Sequence, residues 1–240
     1  MSKNATQFIR VGIAAATLGS ALTFANTAHA AGEIAASAAV SNMYLWRGLD
    51  LGDGSPAVSG DLTYSIGGAY AGVWASSGDD ALGNEYDLYI GYGQTLGDFS
   101  FDISLWNYNY SDNGLADKGF DISDDTTGEL SEIITTIGYK GVSLSYYDNI
   151  AGFSGYEYWT LTGSLGKFSA TLGFHDDPTS GPEQNDMTHL DLSYAFNDRL
   201  SFTLSKVVDQ DLSKNEQVGG VGAFDEDLKV VVAYSLPIEI

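Results

Sequence analysis

Hydrophobic and polar positions alternate along most of the chain with a period of two residues, which is the period of a half-buried β-strand. Residues 99–105 are the clearest case, because Phe, Ile and Leu occupy the odd positions and polar residues lie between them. Most such segments approach the roughly 9–11 residues that a tilted strand needs to cross a membrane. The predicted strands lie near 34–47, 56–66, 69–77, 84–96, 99–110, 129–139, 142–148, 156–165, 168–175, 186–196, 199–208 and 226–238.

The connections between the predicted strands alternate strictly between short and long. The long ones are rich in Asp, Gly, Asn and Ser. This layout is typical of an outer-membrane barrel, which has short periplasmic turns and long extracellular loops. We therefore predict an all-β fold, a single antiparallel transmembrane β-barrel of about 12 strands. The five tight turns are Gly67-Gly68, Gly97-Asp98, Lys140-Gly141, Gly166-Lys167 and Asn197-Asp198, whose residue types tolerate positive φ.

The first thirty residues have the layout of a secretory signal peptide. Lys3 and Arg10 form a basic start, residues 11–24 are an uncharged run, and residues 28–30 form a small-x-small cleavage pattern. An uncleaved membrane anchor is the alternative, but the run is too short to span a bilayer comfortably. We therefore expect a cleaved signal peptide at 1–30, a barrel at 31–240 and a location in the cell outer membrane.

The chain is strongly acidic, with 32 Asp and Glu against 10 Lys and Arg and a formal net charge of −22. This excess argues against a nucleic-acid partner, because phosphate binding needs a basic surface. The sequence contains no cysteine, and a barrel that is held together by strand pairing needs none. Neither a cofactor nor a metal ion is predicted.

Acidic clusters are concentrated in the predicted long loops. A solvated acidic rim explains them, and none has the spacing of a calcium-binding loop. Divalent cations that bridge the clusters to each other or to lipopolysaccharide phosphates are the alternative. The clusters are Asp79-Asp80, Asp121 with Asp124-Asp125, Asp176-Asp177 and Asp225-Glu226-Asp227.

Strand parity predicts which charged side chains point into the lumen, since the polar face of a transmembrane strand faces inward. One interpretation is an electronegative, narrow pore that prefers cations, because carboxylates lower the entry barrier for positive ions. The other is that these charges pair with one another and with Tyr or Ser hydroxyls, which would plug the interior. The predicted pore-lining residues are Arg47, Asp61, Asp87, Asp102, Glu132, Asp191 and Lys229.

Arg47 receives two further hypotheses, since it lies near the outer end of the first predicted strand. In the first hypothesis, Arg47 shapes a constriction. In the second, Arg47 orders the loop between Asp50 and Asp53 through a bidentate ion pair. If Arg47→Ala changed neither conductance nor thermal stability, both hypotheses would be wrong.

Aromatic residues fall into two predicted belts, as expected where amphipathic rings lie at both membrane interfaces. Core aromatics of a soluble barrel are the alternative. The tight-turn belt comprises Tyr92, Phe99, Tyr139, Phe168, Phe196 and Phe202. The long-loop belt comprises Tyr44, Trp46, Trp106, Tyr108, Tyr110, Tyr158, Trp159 and Phe174.

Motifs in the first hundred residues of the sequence resemble those of a known family. Residues 40–48, VSNMYLWRG, look like the opening motif of the TorF porin family, a group of proteobacterial proteins also catalogued as a domain of unknown function. The resemblance continues at 56–60, 70–74 and 85–92. It implies an outer-membrane barrel with a porin role and no catalytic residues. The alternation up to Ile240 is similar to the assembly signal of outer-membrane proteins, although Pro237 removes one ladder donor.

The leading functional prediction is a channel for passive diffusion of small hydrophilic solutes, with cations preferred. Outer-membrane lipid, lipopolysaccharide and the barrel-assembly machinery are the expected partners. The first alternative is a non-conducting barrel that serves structural or surface interactions through its loops. The second is an outer-membrane hydrolase that uses His175, which lies beside Asp176 and within reach of His189. No nucleophile motif accompanies His175, so the chain is not predicted to be an enzyme.

Overall fold

Twelve antiparallel strands form a closed barrel in the computed structural model of the protein, which confirms the predicted all-β fold. The structure describes residues 32–111, 130–152, 155–176, 186–213, 217–218 and 221–240. The barrel strands are β1 (Glu33–Ser41), β2 (Ala57–Ile66), β3 (Ala69–Asp79), β4 (Gly83–Leu96), β5 (Phe99–Tyr110), β6 (Leu130–Tyr139), β7 (Val142–Ala151), β8 (Glu157–Leu165), β9 (Phe168–Asp176), β10 (Met187–Ala195), β11 (Leu200–Gln210) and β12 (Lys229–Ile238). Two further hairpins pair Leu45–Trp46 with Leu49–Asp50, and Gln217–Val218 with Val221–Gly222.

Each strand pairs with its neighbours in sequence, and β12 closes the barrel against β1. At this seam, Val40 lies opposite Tyr234. Asn42 extends the seam beyond β1, because its backbone N–H donates to the carbonyl of Val232 at 3.2 Å. The Asn42 side chain also accepts from the N–H of Val232 at 2.6 Å and donates to the carbonyl of Val230 at 3.0 Å. A closed barrel has no unpaired edge, so its backbone groups are satisfied without water.

The five predicted tight turns join barrel strands at one end of the barrel. At one of them, Lys140 and Gly141 have φ angles of 48° and 84°, the backbone conformation of a two-residue hairpin turn. The predicted strict alternation of short and long connections is wrong at one place, because only residues 80–82 join β3 to β4. Asp79 stabilises this sharp turn, since one carboxylate oxygen accepts two backbone N–H groups at 2.8 and 2.7 Å.

The barrel wall has an apolar outer face and a polar inner face. On β5, the outward Phe99, Phe101 and Leu105 are 63%, 42% and 43% exposed, whereas the intervening Ser104 is buried. The other strands also place apolar side chains outside and polar side chains inside. Most of the described buried side chains carry a hydroxyl, a carboxylate, a base or a phenol. Such an extensive exposed apolar surface is expected where the surrounding solvent is lipid.

The first predicted strand, 34–47, is too long. β1 ends at Ser41, and the chain then leaves the wall and folds into the lumen before it returns at β2. Left-handed backbone at Arg47 and Gly48, with φ of 47° and 85°, reverses the chain inside a short hairpin. We call residues 42–56, which connect β1 to β2, the strap.

The two predicted aromatic belts have different outcomes. The six members of the tight-turn belt lie on the outer face and are between 39% and 64% exposed. The long-loop belt is largely wrong, because only Trp159 and Phe174 are exposed on the outer face. Tyr44 and Trp46 lie on the strap. The members that face the lumen instead are Trp106, Tyr108, Tyr110 and Tyr158.

Some predicted features lie outside the described residues. They are the signal peptide at 1–30, the acidic cluster of Asp121 with Asp124-Asp125, and Asp177 of the cluster Asp176-Asp177. These features stay predictions. Within the described ranges, no helix has the length and apolar character needed to cross a membrane.

Candidate functional site in the barrel lumen

The strap crosses the lumen from the seam toward the opposite wall. Its inner end is buried, since Tyr44, Leu45 and Arg47 are 3%, 1% and 2% exposed. Residues 53–56, where the strap returns to β2, are exposed. Arg47 contacts side chains of β6, β7 and β8, which lie opposite β1 in a barrel of twelve strands. The strap therefore narrows the half of the lumen that faces the long loops.

Arg47 fixes the tip of the strap with an ion pair across the lumen. Its two terminal nitrogens donate to the two carboxylate oxygens of Glu132 on β6 at 2.9 and 2.6 Å. The guanidinium carbon lies 4.7 Å from the ring centroids of both Tyr147 and Tyr158. Burial lowers the pKa of Arg47, but the Glu132 carboxylate raises it, and the net pKa lies well above the ordinary value. Breaking such a pair is costly, because the remaining ion would be buried without a partner.

The hypothesis that Arg47 pairs with the loop between Asp50 and Asp53 is wrong. Asp50 instead closes the return of the strap, since its carboxylate accepts the N–H groups of Gly52 and Gly54 at 3.0 and 2.7 Å. Arg47 reaches Glu132 because the hairpin of residues 45–50, which carries Arg47 at its tip, points across the lumen. The hypothesis that Arg47 shapes a constriction stays a prediction.

Gly48 allows the strap to pass close to β10. Its φ is 85°, and a Cβ at this position would lie 2.5 Å from the ring of His189. His189 is fully buried; its Nδ1 donates to the carboxylate of Asp191 at 3.1 Å, and its Nε2 is hydrogen-bonded to the Tyr158 hydroxyl at 2.7 Å. This chain of bonds holds the imidazole against the glycine of the strap.

His175 holds the strap from β9. Its Nε2–H donates to the carbonyl of Arg47 at 2.9 Å, since a carbonyl can only accept. In the neutral ring, its Nδ1 then accepts from the Tyr156 hydroxyl at 2.6 Å. Both ring nitrogens are engaged, so neither is free to activate a water molecule as the hydrolase hypothesis requires.

The carboxylates predicted from strand parity lie on the inner faces of their strands; they are Asp61, Asp87, Asp102, Glu132 and Asp191. Two of them lie toward the tight turns and are half-buried. Asp61 accepts from the hydroxyls of Thr63 and Tyr89 at 2.8 and 2.7 Å, and Asp102 accepts from Tyr70 at 2.9 Å. That these residues line a conducting pore stays a prediction.

Lys229, the second predicted lumen base, is buried at the outer end of β12. Its Nζ lies 3.3 Å from a carboxylate oxygen of Asp225 and donates to the backbone carbonyls of Asp225 and Asp227 at 3.0 and 3.4 Å. These bonds go to the loop before β12 rather than to the lumen carboxylates. Asp225 and Asp227, which were predicted as part of a solvated rim, thus anchor a buried lysine.

The described barrel strands contain three register shifts, and all three lie where the strap is seated. They fall near Asp79 on β3, at Glu132 on β6 and at His189 on β10. Glu132 and His189 contact the tip of the strap. Beside Asp79, the carbonyl of Gly78 comes so close to Gly52 that a Cβ there would lie 2.6 Å away. Because β-bulges re-aim side chains and bend strands, the wall is locally shaped to receive the strap.

Sequence reasoning missed Glu85 and the tyrosines that bind it. Glu85 is buried and accepts from the hydroxyls of Tyr44 and Tyr110, the latter at 2.9 Å. Burial and the Glu85 carboxylate raise the pKa of Tyr44, which keeps its hydroxyl protonated as a donor. Strand parity could have placed Glu85 and Tyr110 in the lumen, since Glu85 lies on the same strand face as Asp87 and Tyr110 lies on the same strand face as Asp102.

Between the strap and the tight turns, hydroxyl side chains line much of the inner face. Hydrogen-bonded pairs join neighbouring strands at 2.8–2.9 Å; they are Thr136 with Ser145, Thr162 with Thr171, and Ser193 with Thr203. Hydroxyl groups therefore accompany the half-buried carboxylates in this part of the lumen.

Among solved structures, the chain is similar to OccD3 (OpdP) of Pseudomonas aeruginosa, with 14% identity, a TM-score of 0.41, and coverage of 78% of this chain and 58% of that one. OccAB3 and OccAB4 of Acinetobacter baumannii each have 12% identity, a TM-score of 0.38 and coverage of 77% of this chain. The matches cover 56% of OccAB3 and 54% of OccAB4, so the chain spans less than two thirds of each of the three proteins.

A search of curated protein sequences finds no match. One family profile matches most of the chain, from residue 25 to residue 214, and its description is "Bacterial protein of unknown function (Gcw_chp)". The match includes β1 to β11 and the whole strap. The chain therefore belongs to the Gcw_chp family.

Proposed function

We propose that the protein is an outer-membrane channel through which small hydrophilic solutes, preferentially cations, diffuse passively. The observation that carries the proposal is the inverted wall of the closed barrel, which is apolar outside and polar inside. Such a wall matches lipid on one side and solutes on the other, since a polar lumen replaces part of the hydration of a solute. No reaction is required.

The charges of the lumen support the preference for cations. Among the described residues, its buried and half-buried carboxylates include Asp61, Glu85, Asp87, Asp102, Glu132 and Asp191. Arg47 and Lys229 are the two bases that strand parity assigned to the lumen, and Lys229 bonds to a loop. Carboxylates in a low-dielectric enclosure attract cations and repel anions.

The proposal extends to export and assembly. The signal peptide at 1–30 would direct the chain across the inner membrane. The outer face would then contact lipid and lipopolysaccharide after insertion by the barrel-assembly machinery. The resemblance of residues 40–48 to the opening motif of the TorF porin family supports the same function.

Single-channel recording of the refolded protein in a planar bilayer, with a salt gradient across it, tests the proposal. We expect discrete conductance steps and a reversal potential of the sign that cation selectivity gives. A folded and inserted protein that never conducts would refute the channel function. A reversal potential at zero would refute only the preference for cations.

The strap favours a second candidate function, a closed barrel that acts through its loops. The ion pair between Arg47 and Glu132 holds the strap across the outer half of the lumen. For a silent wild-type barrel, shortening of the segment of residues 111–129, which joins β5 to β6 in the sequence, would then be expected to abolish cell-surface binding. A hydrolase that depends on His175 is not supported, because both of its ring nitrogens are bonded.

A further inference from the structure

Three buried carboxylates lie beside the strap, and Arg47 balances one of them. Glu85 and Asp87 project from β4, and Glu132 projects from β6. Both terminal nitrogens of Arg47 donate to Glu132. Within the described part of the chain, no ion pair involves Glu85 or Asp87. In their ionised forms, the three carboxylates would carry more negative charge than the one guanidinium neutralises.

The two carboxylates on β4 differ in how they are bonded. Glu85 accepts hydrogen bonds from the hydroxyls of Tyr44 and Tyr110. Asp87 is 0% exposed, and neither of its oxygens accepts a hydrogen bond from a donor group of the described residues, while its carboxyl group lies within hydrogen-bonding reach of that of Glu85. A buried carboxylate without a donor is strongly disfavoured, so Asp87 requires a positively charged partner or a proton.

The neighbours of Asp87 are suited to a cation. On the inner face of the wall, Asp87 lies between Trp74 of β3 and Tyr108 of β5, its register partners on the two adjacent strands. The ring of Trp74 lies 6.5 Å from that of Tyr44, so aromatic groups continue toward the strap. Aromatic faces attract cations through their quadrupole, and a carboxylate beside them adds a full negative charge.

We infer that Asp87, assisted by Glu85, binds a small monovalent cation such as Na⁺, K⁺ or ammonium beside the strap. The inference rests on the proposed channel function and deepens it, because it names the point at which a permeating cation is held. A dedicated divalent site does not fit, since Ca²⁺ takes six to eight oxygen ligands. The described residues also contain no group of three or more acidic, His or Cys side chains arranged to hold a metal ion.

Thermal unfolding of the refolded protein in detergent tests the site without requiring conduction. Melting temperatures are compared in chloride salts of Na⁺, K⁺ and ammonium and in N-methyl-D-glucamine chloride, at equal ionic strength. A ligand that binds only the folded state raises the melting temperature in a saturable manner, and we expect a rise of about 4 °C for at least one small cation.

Two variants separate the site from general charge effects. Asp87→Asn should abolish the cation-dependent rise, and its melting temperature in N-methyl-D-glucamine chloride should equal or exceed that of the wild type, because no unpaired charge remains. Asp102→Asn removes the same charge from a half-buried carboxylate that Tyr70 already bonds, and it should keep the rise. Equal melting temperatures of the wild type in all four salts would overturn the inference. A melting temperature that responds to pH and not to the cation would also overturn it, because a proton would then satisfy Asp87.

If Asp87→Asn fails to fold, crystals of the wild type soaked in Tl⁺ provide the test. An anomalous peak at Asp87 supports the site, and its absence overturns it. The bilayer recording separates this inference from the function on which it rests. A conducting barrel with cation-independent melting refutes the site alone. A silent barrel with cation-dependent melting refutes the channel alone.

Discussion

In the outer half of the lumen, the strap joins distant strands through buried charges, whereas the half nearest the tight turns relies on hydroxyl pairs between neighbouring strands. Arg47 connects the seam to Glu132 on the opposite wall. Thr162 and Thr171, by contrast, bond across a single pair of adjacent strands. The first arrangement stabilises one particular position of the strap, and the second places polar groups along the wall. If the proposed channel conducts, we expect control of passage to lie in the outer half.

The largest effect is expected when the inner end of the strap is removed. Replacing residues 44–49 with a Gly-Ser segment of equal length should raise single-channel conductance several-fold, because the lumen would lose the side chains of the strap that narrow it. A matched control replaces residues 53–55, which are exposed, and should leave conductance unchanged. Equal conductance in the wild type and the inner replacement would show that the strap does not limit passage.

Arg47→Ala should destabilise the folded barrel by about 3–5 kcal/mol, since it leaves Glu132 buried without its partner. Denaturant unfolding in detergent or lipid measures the change. The control is Arg199→Ala, which removes an exposed arginine at a tight turn and should cost less than about 0.5 kcal/mol. Similar losses for both variants would contradict a special role for the ion pair.

Two glycines of the strap provide a smaller and sharper comparison. Both have positive φ, 85° at Gly48 and 78° at Gly54, but an added Cβ would meet His189 at Gly48 and nothing within 4 Å at Gly54. Both alanine variants carry backbone strain, and only Gly48→Ala also displaces a packed neighbour. We expect Gly48→Ala to be less stable than Gly54→Ala by about 1–2 kcal/mol in equilibrium unfolding. Equal losses would mean that the strap does not seat against β10.

The smallest effect concerns selectivity in the tight-turn half. The double variant Asp61→Asn and Asp102→Asn should move the reversal potential toward zero by a few millivolts, because two half-buried carboxylates lose their charge. Asp98→Asn, at an exposed turn position, is the control and should not move it. An unchanged reversal potential in the double variant would assign selectivity to the strap half alone.

The sequence predicted the wall more successfully than the strap, and the physical reason is local. In the wall, alternation records which face meets lipid, so the parity of Asp102 and Ser104 correctly assigns the inner face of β5. The same parity places Trp106 in the lumen, whereas the prediction of an outer aromatic belt places it at the membrane interface.

The residues after Ser41 include an unbroken apolar and aromatic run from Met43 to Trp46, which is also consistent with a buried strand, so the pattern could not distinguish an extended strand from a hairpin inside the barrel. The only local signal of the reversal was the Arg47-Gly48 pair, whose positive φ angles appear only in three dimensions. The partner of Arg47 is also non-local, since Glu132 lies 85 residues away in sequence. No periodic pattern encodes such a pairing.

The position of Asn42 has a consequence for the order of assembly. Its backbone and side chain bond to β12, so the strap begins at the seam where the first and last strands meet. Closure of the cylinder and entry of the strap are therefore coupled: a nascent barrel that closes with the strap outside lacks the ion pair between Arg47 and Glu132. Correct insertion of this one segment thus distinguishes a finished barrel from a merely closed one.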